Sequence, residues 1–441
     1  TQVAALSNTQ LGALTTAEAT SLSTTQLKAL NVGQIGALST TVVAALGTDQ
    51  VKALSVDQFK ALTTAAVAAL TTAQSAVITT AQLAALSKAQ VGALTTAQVG
   101  ALTTAQAKAL SALSLASLTT GQVKALGTAA VNALDAKQVA ALTTTQVAAL
   151  GTDQVNALSS TGVQALTGAQ VGALSTAQVA AMTTTTIQAL ESADVIALTT
   201  AQINALTSTQ VAALSTSQIS SLSSTAVSNL STAQVAAMNV LQVAALSTGA
   251  VSAMSTSQVQ ALTANQVKAL STGAVAALTT SQVGALTTAQ AAVLSAKAVG
   301  ALSTASVAAL TSSQVKAMTK EAVTALTTAQ VQALSTTAVA ALSSTQVATL
   351  SSAEVALLST AQIKALDTAQ VKALAAGGLS SFNTAQMAAL TTGQVAALTA
   401  AQVKVLTTAQ VAALGTDNVK ALTTTQVAAL SNTQLGALTT A

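Results

Sequence analysis

The chain has 441 residues, enough for two or three ordinary globular domains, but its composition does not fit such domains. It contains no Cys, His, Trp, Tyr or Pro, only two Phe, and 6% charged residues with a net charge of +4. These values exclude a disulfide framework, thiolate or imidazole metal sites, and a large core filled with aromatic side chains. Ser, Thr and Gln interrupt every apolar run well before the roughly 18–20 residues of a membrane span, so we predict no transmembrane segment.

An eight-residue repeat starts near the N-terminus and keeps its phase throughout the chain. Leu recurs at every eighth residue from Leu6 to Leu438, and the consensus octad is T-T-A-Q-V-A-A-L, as in Thr95 to Leu102. Large apolar residues replace Leu at the exceptions: Ile78, Met182, Met238, Met254, Met318 and Phe382. We number the octad from position 1, after one Leu, to position 8, the next Leu. A phase without insertions predicts that all octads have the same role in a stacked array.

Each octad carries the signals of a short helix. Position 1 is nearly always Ser, Thr, Asn, Asp or Gly, with Glu191 and Ala375 as clear exceptions, and position 4 is usually Gln. Together they form the S/T-x-x-Q capping box, in which two side chains satisfy two backbone N–H groups. Val and Leu at positions 5 and 8 share one helical face. An unbroken helix would spread Leu over all faces, so we predict one helix of about five to seven residues per octad.

The charges support this helix assignment. The acidic residues lie at the cap or in the first turn, and most Lys residues occupy position 6, toward the helix end, an arrangement that the helix dipole favours. We therefore predict an all-α fold, a solenoid or superhelix of very short capped helices, with residues 1–441 as one continuous array. The alternative is a β-solenoid, which the Thr and Val content would suit. Three octads per coil are preferred, with two as the alternative.

The same pattern assigns the interior and the surface. We expect Leu and Val to form an inner spine, and Phe59, Phe382 and the five Met to join it because they occupy the same positions. Position 6 varies freely and should face solvent. Thr, Ser, Gln and Lys are expected to cover the outside.

Two stretches depart from the consensus. Residues 111–118 lose Gln and gain two Leu, whereas residues 375–382 lose the cap and contain Gly377 and Gly378. We interpret both as neutral variation in a long array; a hinge or a contact point is the alternative.

The last residues repeat the first. Residues 425–441 are identical to residues 1–17, and the octad S-N-T-Q-L-G-A-L occurs only in these two segments. This identity predicts a second-order tandem array; coincidence within a low-complexity alphabet is the alternative. We expect the chain to be an interior segment of a longer repetitive protein.

The residues needed for catalysis are missing. Nucleophilic catalysis needs a base beside Ser or Thr, but the chain has no His and no recurring cluster of Lys or carboxylates. We predict that it is not an enzyme, with no catalytic, cofactor-binding or metal site and no cofactor. Asp49, Asp57, Asp153 and Asp417 are interpreted as charges at helix starts rather than metal ligands.

Two resemblances bear on partners. The segment L-T-x-x-Q-V-x-A-L, as in Leu94 to Leu102, resembles the first helix of TAL-effector repeats, which would imply DNA binding. Those repeats are about 34 residues long, and the clustered Lys and Arg that nucleic acids attract are absent, so we predict no nucleic-acid partner. The whole chain is similar to the octapeptide-repeat (LTTAQVAA-type) arrays of very large bacterial surface or adhesin-like filament proteins, which implies an extracellular or cell-surface location.

We therefore expect a structural repeat protein that forms the shaft of an extracellular or cell-surface filament, with copies of itself as partners in a polymer or lateral bundle. The alternative is a Ser/Thr-faced binding solenoid for ice, glycan or mineral, for which rows such as Thr95, Thr103 and Thr143 would supply hydroxyls. A third possibility is an intracellular scaffold, which normally carries aromatic or charged patches that this sequence lacks.

Overall fold

The computed structural model of the chain describes residues 2–438, where 54 short α-helices follow one another in octad register. A 3-10 helix, Gln2–Ala5, precedes them. This range contains no β-strand, so the predicted all-α solenoid is confirmed and the alternative β-solenoid is not supported. Contacts divide the chain into two compact units, unit 1 (Thr1–Ser221) and unit 2 (Leu222–Ala441).

The helices of unit 1 have five or six residues each, as the octad pattern predicts. They are Asn8–Gly12, Thr16–Ser21, Thr24–Lys28, Val32–Gly36, Thr40–Ala45, Thr48–Ala53, Val56–Lys60, Thr64–Ala69, Thr72–Val77, Thr80–Ala85, Lys88–Gly92, Thr96–Gly100, Thr104–Ala109, Ala112–Ala116, Thr120–Ala125, Thr128–Asn132, Ala136–Ala141, Thr144–Ala149, Thr152–Ala157, Ser160–Gln164, Gly168–Gly172, Thr176–Ala181, Thr184–Ala189, Ser192–Ala197, Thr200–Ala205, Ser208–Ala213 and Thr216–Ser221.

The helices of unit 2 follow the same rule, with lengths from four to seven residues. They are Ser224–Ser228, Thr232–Ala237, Val240–Ala244, Thr248–Ala253, Thr256–Ala261, Ala264–Ala269, Thr272–Ala276, Thr280–Ala285, Thr288–Ala292, Ala296–Gly300, Thr304–Ala308, Ser312–Ala317, Lys320–Thr324, Thr328–Ala333, Thr336–Ala341, Ser344–Val347, Ser352–Ala356, Thr360–Ala365, Thr368–Ala373, Ala376–Ser380, Thr384–Ala388, Thr392–Ala397, Ala400–Lys404, Thr408–Ala412, Thr416–Lys420, Thr424–Ala429 and Asn432–Leu438.

A side-chain cap begins most helices, and an extended position-8 residue follows the helix end. At Thr143 the hydroxyl accepts a hydrogen bond from Gln146 N (3.1 Å), and Gln146 Oε1 accepts one from Thr143 N (2.8 Å). Leu150 then takes an extended backbone conformation (φ −58°, ψ 143°), and the next octad starts a new helix. Helices this short are unstable alone in water, so burial of one face against neighbouring helices must stabilise them.

Helices three octads apart pack together in both units. Thr96–Gly100 contacts Thr120–Ala125, which contacts Thr144–Ala149, and in unit 2 Thr272–Ala276 contacts Ala296–Gly300. One coil of each unit therefore holds three helices, the number preferred from the sequence. We call a stack of helices three octads apart a column, and the junction where one helix ends at position 8 and the next begins a corner.

The interior agrees with the prediction for Leu and Val. Phe59 and Met387 are fully buried, and Phe382 is 4% exposed. Position 6 is mostly exposed, as expected. The expectation that Gln covers the outside was wrong, because position-4 Gln side chains such as Gln146 are 2% exposed and point into the corners. Their burial follows from hydrogen bonds between coils.

The two irregular stretches keep the octad register. Residues 111–118 form the helix Ala112–Ala116, and residues 375–382 form Ala376–Ser380. Ala375 begins the second helix without a side-chain cap. Both stretches fill their places in the columns, as neutral variants would.

Candidate interaction surface

The outer surface consists of four positions of each octad. In residues 143–150 the exposed side chains are Thr143, Thr144, Thr145 and Ala148, at positions 1, 2, 3 and 6, whereas Gln146, Val147 and Leu150 are buried. This division repeats along both units. The surface therefore presents small hydroxyl and methyl groups with widely spaced Lys side chains, and few formal charges.

The hydroxyls at position 1 are engaged in capping. Thr95, Thr103 and Thr143, the rows predicted as possible ligand contacts, accept hydrogen bonds from the N–H groups three residues later at 3.2, 3.3 and 3.1 Å. Position 2 is different, because its side chain takes no part in the cap. Thr96, Thr120 and Thr144 are exposed and start three successive helices of one column.

Position-4 glutamines join each coil to the one before it. Gln146 Nε2 donates to Leu118 O (2.7 Å) and Leu115 O (3.1 Å), 28 and 31 residues earlier. Its Oε1 caps its own helix, so one buried side chain joins a helix start to the helix end beneath it at the corner. The sequence reasoning found the cap and missed this bond. The available signal was the strong preference for Gln over Glu at position 4, although both residues can complete a capping box.

Two buried acids replace this glutamine. Asp194 and Glu354 are 4% and 7% exposed, and each accepts a hydrogen bond from the N–H at position 1 of its octad, Glu191 N at 3.1 Å and Ser351 N at 2.6 Å. Burial is the largest influence on Asp194 and raises its pKa; the Glu191 N–H opposes this, and the Glu191 charge adds to it. An ionised carboxylate cannot donate to the carbonyls of the preceding coil, so these two corners lose the bond between coils.

The acids that were predicted to lie at helix starts do so. Asp49, Asp57, Asp153 and Asp417 occupy the first turns of their helices, as predicted. Hydrogen bonds from the backbone N–H and hydroxyl of Thr15 lower the pKa of Glu18. Within residues 2–438, no group of three or more acidic side chains comes together in a way that could hold a metal ion.

A surface hollow in unit 2 shows what the columns offer to a ligand. Its volume is about 560 Å³, and its lining includes Thr368, Lys372, Leu398, Thr423 and Gln426. Hydroxyls, one ammonium group and one amide supply its polar surface, and no carboxylate lines it. Such a lining can form hydrogen bonds but offers no acid–base pair for catalysis.

None of the helices over residues 2–438 has the length and apolar character needed to cross a bilayer.

Comparison with protein families identifies the repeat. The model of the ALTTAQ repeat matches overlapping segments that together cover most of both units. The matched segments are residues 3–40, 32–64, 56–88, 75–112, 115–152, 147–184, 187–224, 242–272, 265–296, 322–352, 365–400, 379–416, 395–424 and 405–440. No curated protein matches the chain. The tandem octads and the matches across the sequence show that the chain belongs to the ALTTAQ repeat family.

Proposed function

We propose that this chain is a structural, non-catalytic repeat array that forms part of the shaft of an extracellular or cell-surface filament. The proposal rests on how the coils are joined rather than on any single site. Each coil uses the same Val and Leu contacts and the same corner hydrogen bonds as the next, so the interface between coils is the same wherever the consensus holds. An interface that repeats in this way can build an array of any length.

The corner glutamines are the observation that carries the proposal. Gln74 donates to Leu46 O (2.6 Å) in unit 1, and Gln410 donates to Phe382 O (2.7 Å) in unit 2, again across 28 residues. These amides are buried, where competition from water is weak, so each bond resists separation of neighbouring coils. Repeated at many corners, such bonds suit a protein that must keep its length under load.

Self-association completes the proposal. The surface carries few charges, and an uncharged surface of Thr, Ser and Ala has little electrostatic repulsion against a copy of itself. Copies of the chain are therefore the proposed partners, in a polymer or in lateral bundles. Nucleic acid is not a proposed partner, because the Lys residues are scattered rather than clustered.

Electron microscopy of the native material from which the chain comes tests this proposal. We expect filaments in which octad density continues as a uniform shaft, with antibodies against the repeat labelling the cell exterior. Labelling of the shaft and of no other structure supports the proposal. Discrete particles, or labelling confined to the cytoplasm, would contradict it.

The Thr column gives one observation in favour of a second function, a repetitive binding surface for ice, glycan or mineral. Thr96, Thr120 and Thr144 are exposed and lie in one column, and their side chains take no part in the helix caps. Thermal hysteresis and glycan-array measurements on the chain test this alternative. The matched variant replaces these three threonines with Ala and leaves the caps intact. Binding that the variant loses would favour the second function, and no binding by the native chain would remove it.

A further inference from the structure

One corner of unit 2 lacks, over part of its length, the glutamines that join coils elsewhere; in the same column Gln346, Gln370 and Gln394 donate across coils again. In five successive helices of one column, position 4 is Ala rather than Gln, and the five positions are spaced by 24 residues, or three octads. They are Ala226, Ala250, Ala274, Ala298 and Ala322. Each lies in the first turn of its helix, and the helices concerned pack on one another as one column. The substitutions therefore fall in register along unit 2.

The other two corners of the same region show what is lost. At one of them Gln258 and Gln282 donate to Leu230 O and Met254 O, both at 2.6 Å. At the other, Gln290 donates to Leu262 O, also at 2.6 Å. Two octads from these other corners separate each Ala position from the next. Two corners of these coils are thus joined by buried amides, except at Ser306, where a hydroxyl 3.5 Å from Leu278 O stands in place of the amide.

At the Ala corner the corresponding acceptors receive no side-chain donor within residues 2–438. For the four later alanines these acceptors are the carbonyls of Leu222, Leu246, Leu270 and Leu294, each 28 residues before its Ala. The cap is also weaker, because Ser247, Ser271 and Ser295 still accept the bond from position 4 but no Gln Oε1 is present to accept their own N–H. Each Ala corner therefore lacks both the bond between coils and half of the capping box.

A surface hollow lies beside this corner. A surface cavity of about 450 Å³ opens beside Leu294 and Ser295 and reaches Thr319 and Glu321, the junction that Ala322 leaves without an amide. Lys268 lines the same cavity. A hollow of about 560 Å³ also lies beside Leu398 and Gln426, a corner that keeps its amide, so the inference rests on the hydrogen bonds.

We propose that this corner is a built-in seam, along which the coils of unit 2 separate locally before they separate at the other two corners. Local opening occurs where the fewest buried contacts and hydrogen bonds must break, and the seam has lost its bonds in four successive coils. The seam gives this stretch of unit 2 one preferred direction in which to open or bend, whereas a stretch with three bonded corners has none. This inference does not depend on the shaft function.

Hydrogen exchange followed by mass spectrometry tests the seam on the full chain. Peptides covering Thr272–Ala276 and Ala296–Gly300 are expected to exchange at least about tenfold faster than peptides covering Thr280–Ala285 and Ser312–Ala317, because a few hydrogen bonds change an opening equilibrium by this order. The double variant Ala274→Gln/Ala298→Gln restores two corner amides. Exchange in the seam helices should then fall toward that of Thr280–Ala285 and Ser312–Ala317. Equal exchange in the seam helices and in the two Gln-bearing helices of the native chain would overturn the proposal. A folded variant whose seam helices exchange no more slowly would also overturn it.

The reciprocal variant keeps the test decisive if the added glutamines prevent folding. Gln258→Ala/Gln282→Ala removes two amides from a bonded corner and leaves the seam untouched. Exchange in Thr256–Ala261 and Thr280–Ala285 should then rise about tenfold, and a second seam appears. Unchanged exchange in those two helices would show that the corner amides do not control opening.

Discussion

At the scale of single residues, the position-4 glutamine uses both ends of its amide. Gln98 Oε1 accepts from Thr95 N at 2.6 Å, while Gln98 Nε2 donates to Leu70 O at 2.6 Å and Val67 O at 2.9 Å. The Gln98 side chain that makes these three bonds is 1% exposed. Glu matches Gln in size and in capping but has no donor when ionised. The preference for Gln therefore reflects the bond to the preceding coil, which capping alone would not require.

This account predicts the effect of Gln146→Glu. The variant keeps the cap at Thr143 but loses both donated bonds and buries a negative charge, so local opening of this corner should become easier by about 2–4 kcal/mol. Native-state hydrogen exchange at the helix Thr144–Ala149 measures this change. The matched control is Gln10→Glu, at an exposed glutamine that caps Ser7 and makes no donated bond to another coil within residues 2–438. Its effect should stay within about 0.5 kcal/mol. Equal effects at both sites would contradict the role assigned to the donor.

Asp194 gives a prediction for pH dependence. Because its folded-state pKa is raised, mainly by burial, the folded chain favours the protonated acid. Its contribution to stability is therefore present at low pH and is lost as pH rises from the unfolded value of 3.8 through the raised folded pKa. Asp194→Asn should stabilise the helix Ser192–Ala197 at neutral pH, with a gain that shrinks as pH falls. Hydrogen exchange at several pH values checks this, with exposed Asp153→Asn as the control; a gain independent of pH would contradict it.

At the scale of the helix, the sequence predicted what is local and missed what spans coils. Cap, first turn and buried Val all lie within eight residues, so Thr143, Gln146 and Val147 could be assigned by inspection. The burial of Gln146 depends on Leu118 O, 28 residues earlier, and no signal within its own octad reports that distance. The preferred count of three octads per coil was correct, although the sequence left two open. For the candidate surface, position 6 was correctly assigned to solvent. The row of exposed position-2 threonines could be recognised only once the stacking of helices into columns was known.

Two glycines at position 1 provide a matched prediction about caps. Gly127 begins its helix at φ −65°, whereas Gly415 begins its helix at φ +79°, and a Cβ at either site would meet no atom within 4 Å. Gly127→Ser adds a cap acceptor and should stabilise the helix Thr128–Asn132 by a few tenths to about 1 kcal/mol. Gly415→Ser should instead destabilise its helix by about 1 kcal/mol or more, since the left-handed backbone disfavours a side chain. Local hydrogen exchange separates the two outcomes, and changes of the same sign would refute the explanation.

At the scale of the whole molecule, equivalence of the octads predicts how the array responds to length changes. Removal of residues 143–150 deletes one complete octad and leaves every later Gln able to meet a position-8 carbonyl in the preceding coil. Removal of residues 143–146 shifts the register by half an octad, so Gln and Leu no longer meet at the corners. We expect the first variant to keep its helix content per residue and the second to lose it in the coils around the deletion. Circular dichroism and hydrogen exchange measure both, and equal tolerance would show that register does not matter.

The corner bonds also determine the order in which the chain can fold. A corner amide and its acceptor lie 28 residues apart, so no corner can close until about one further coil of chain has been synthesised. The folded part should therefore follow the ribosome at a constant distance, however long the array becomes. Because the separation between bonded partners does not grow with length, loop closure costs the same for the last coil as for the first. A protein built in this way can become very long without folding more slowly, which is a kinetic advantage that a globular core of the same size does not have.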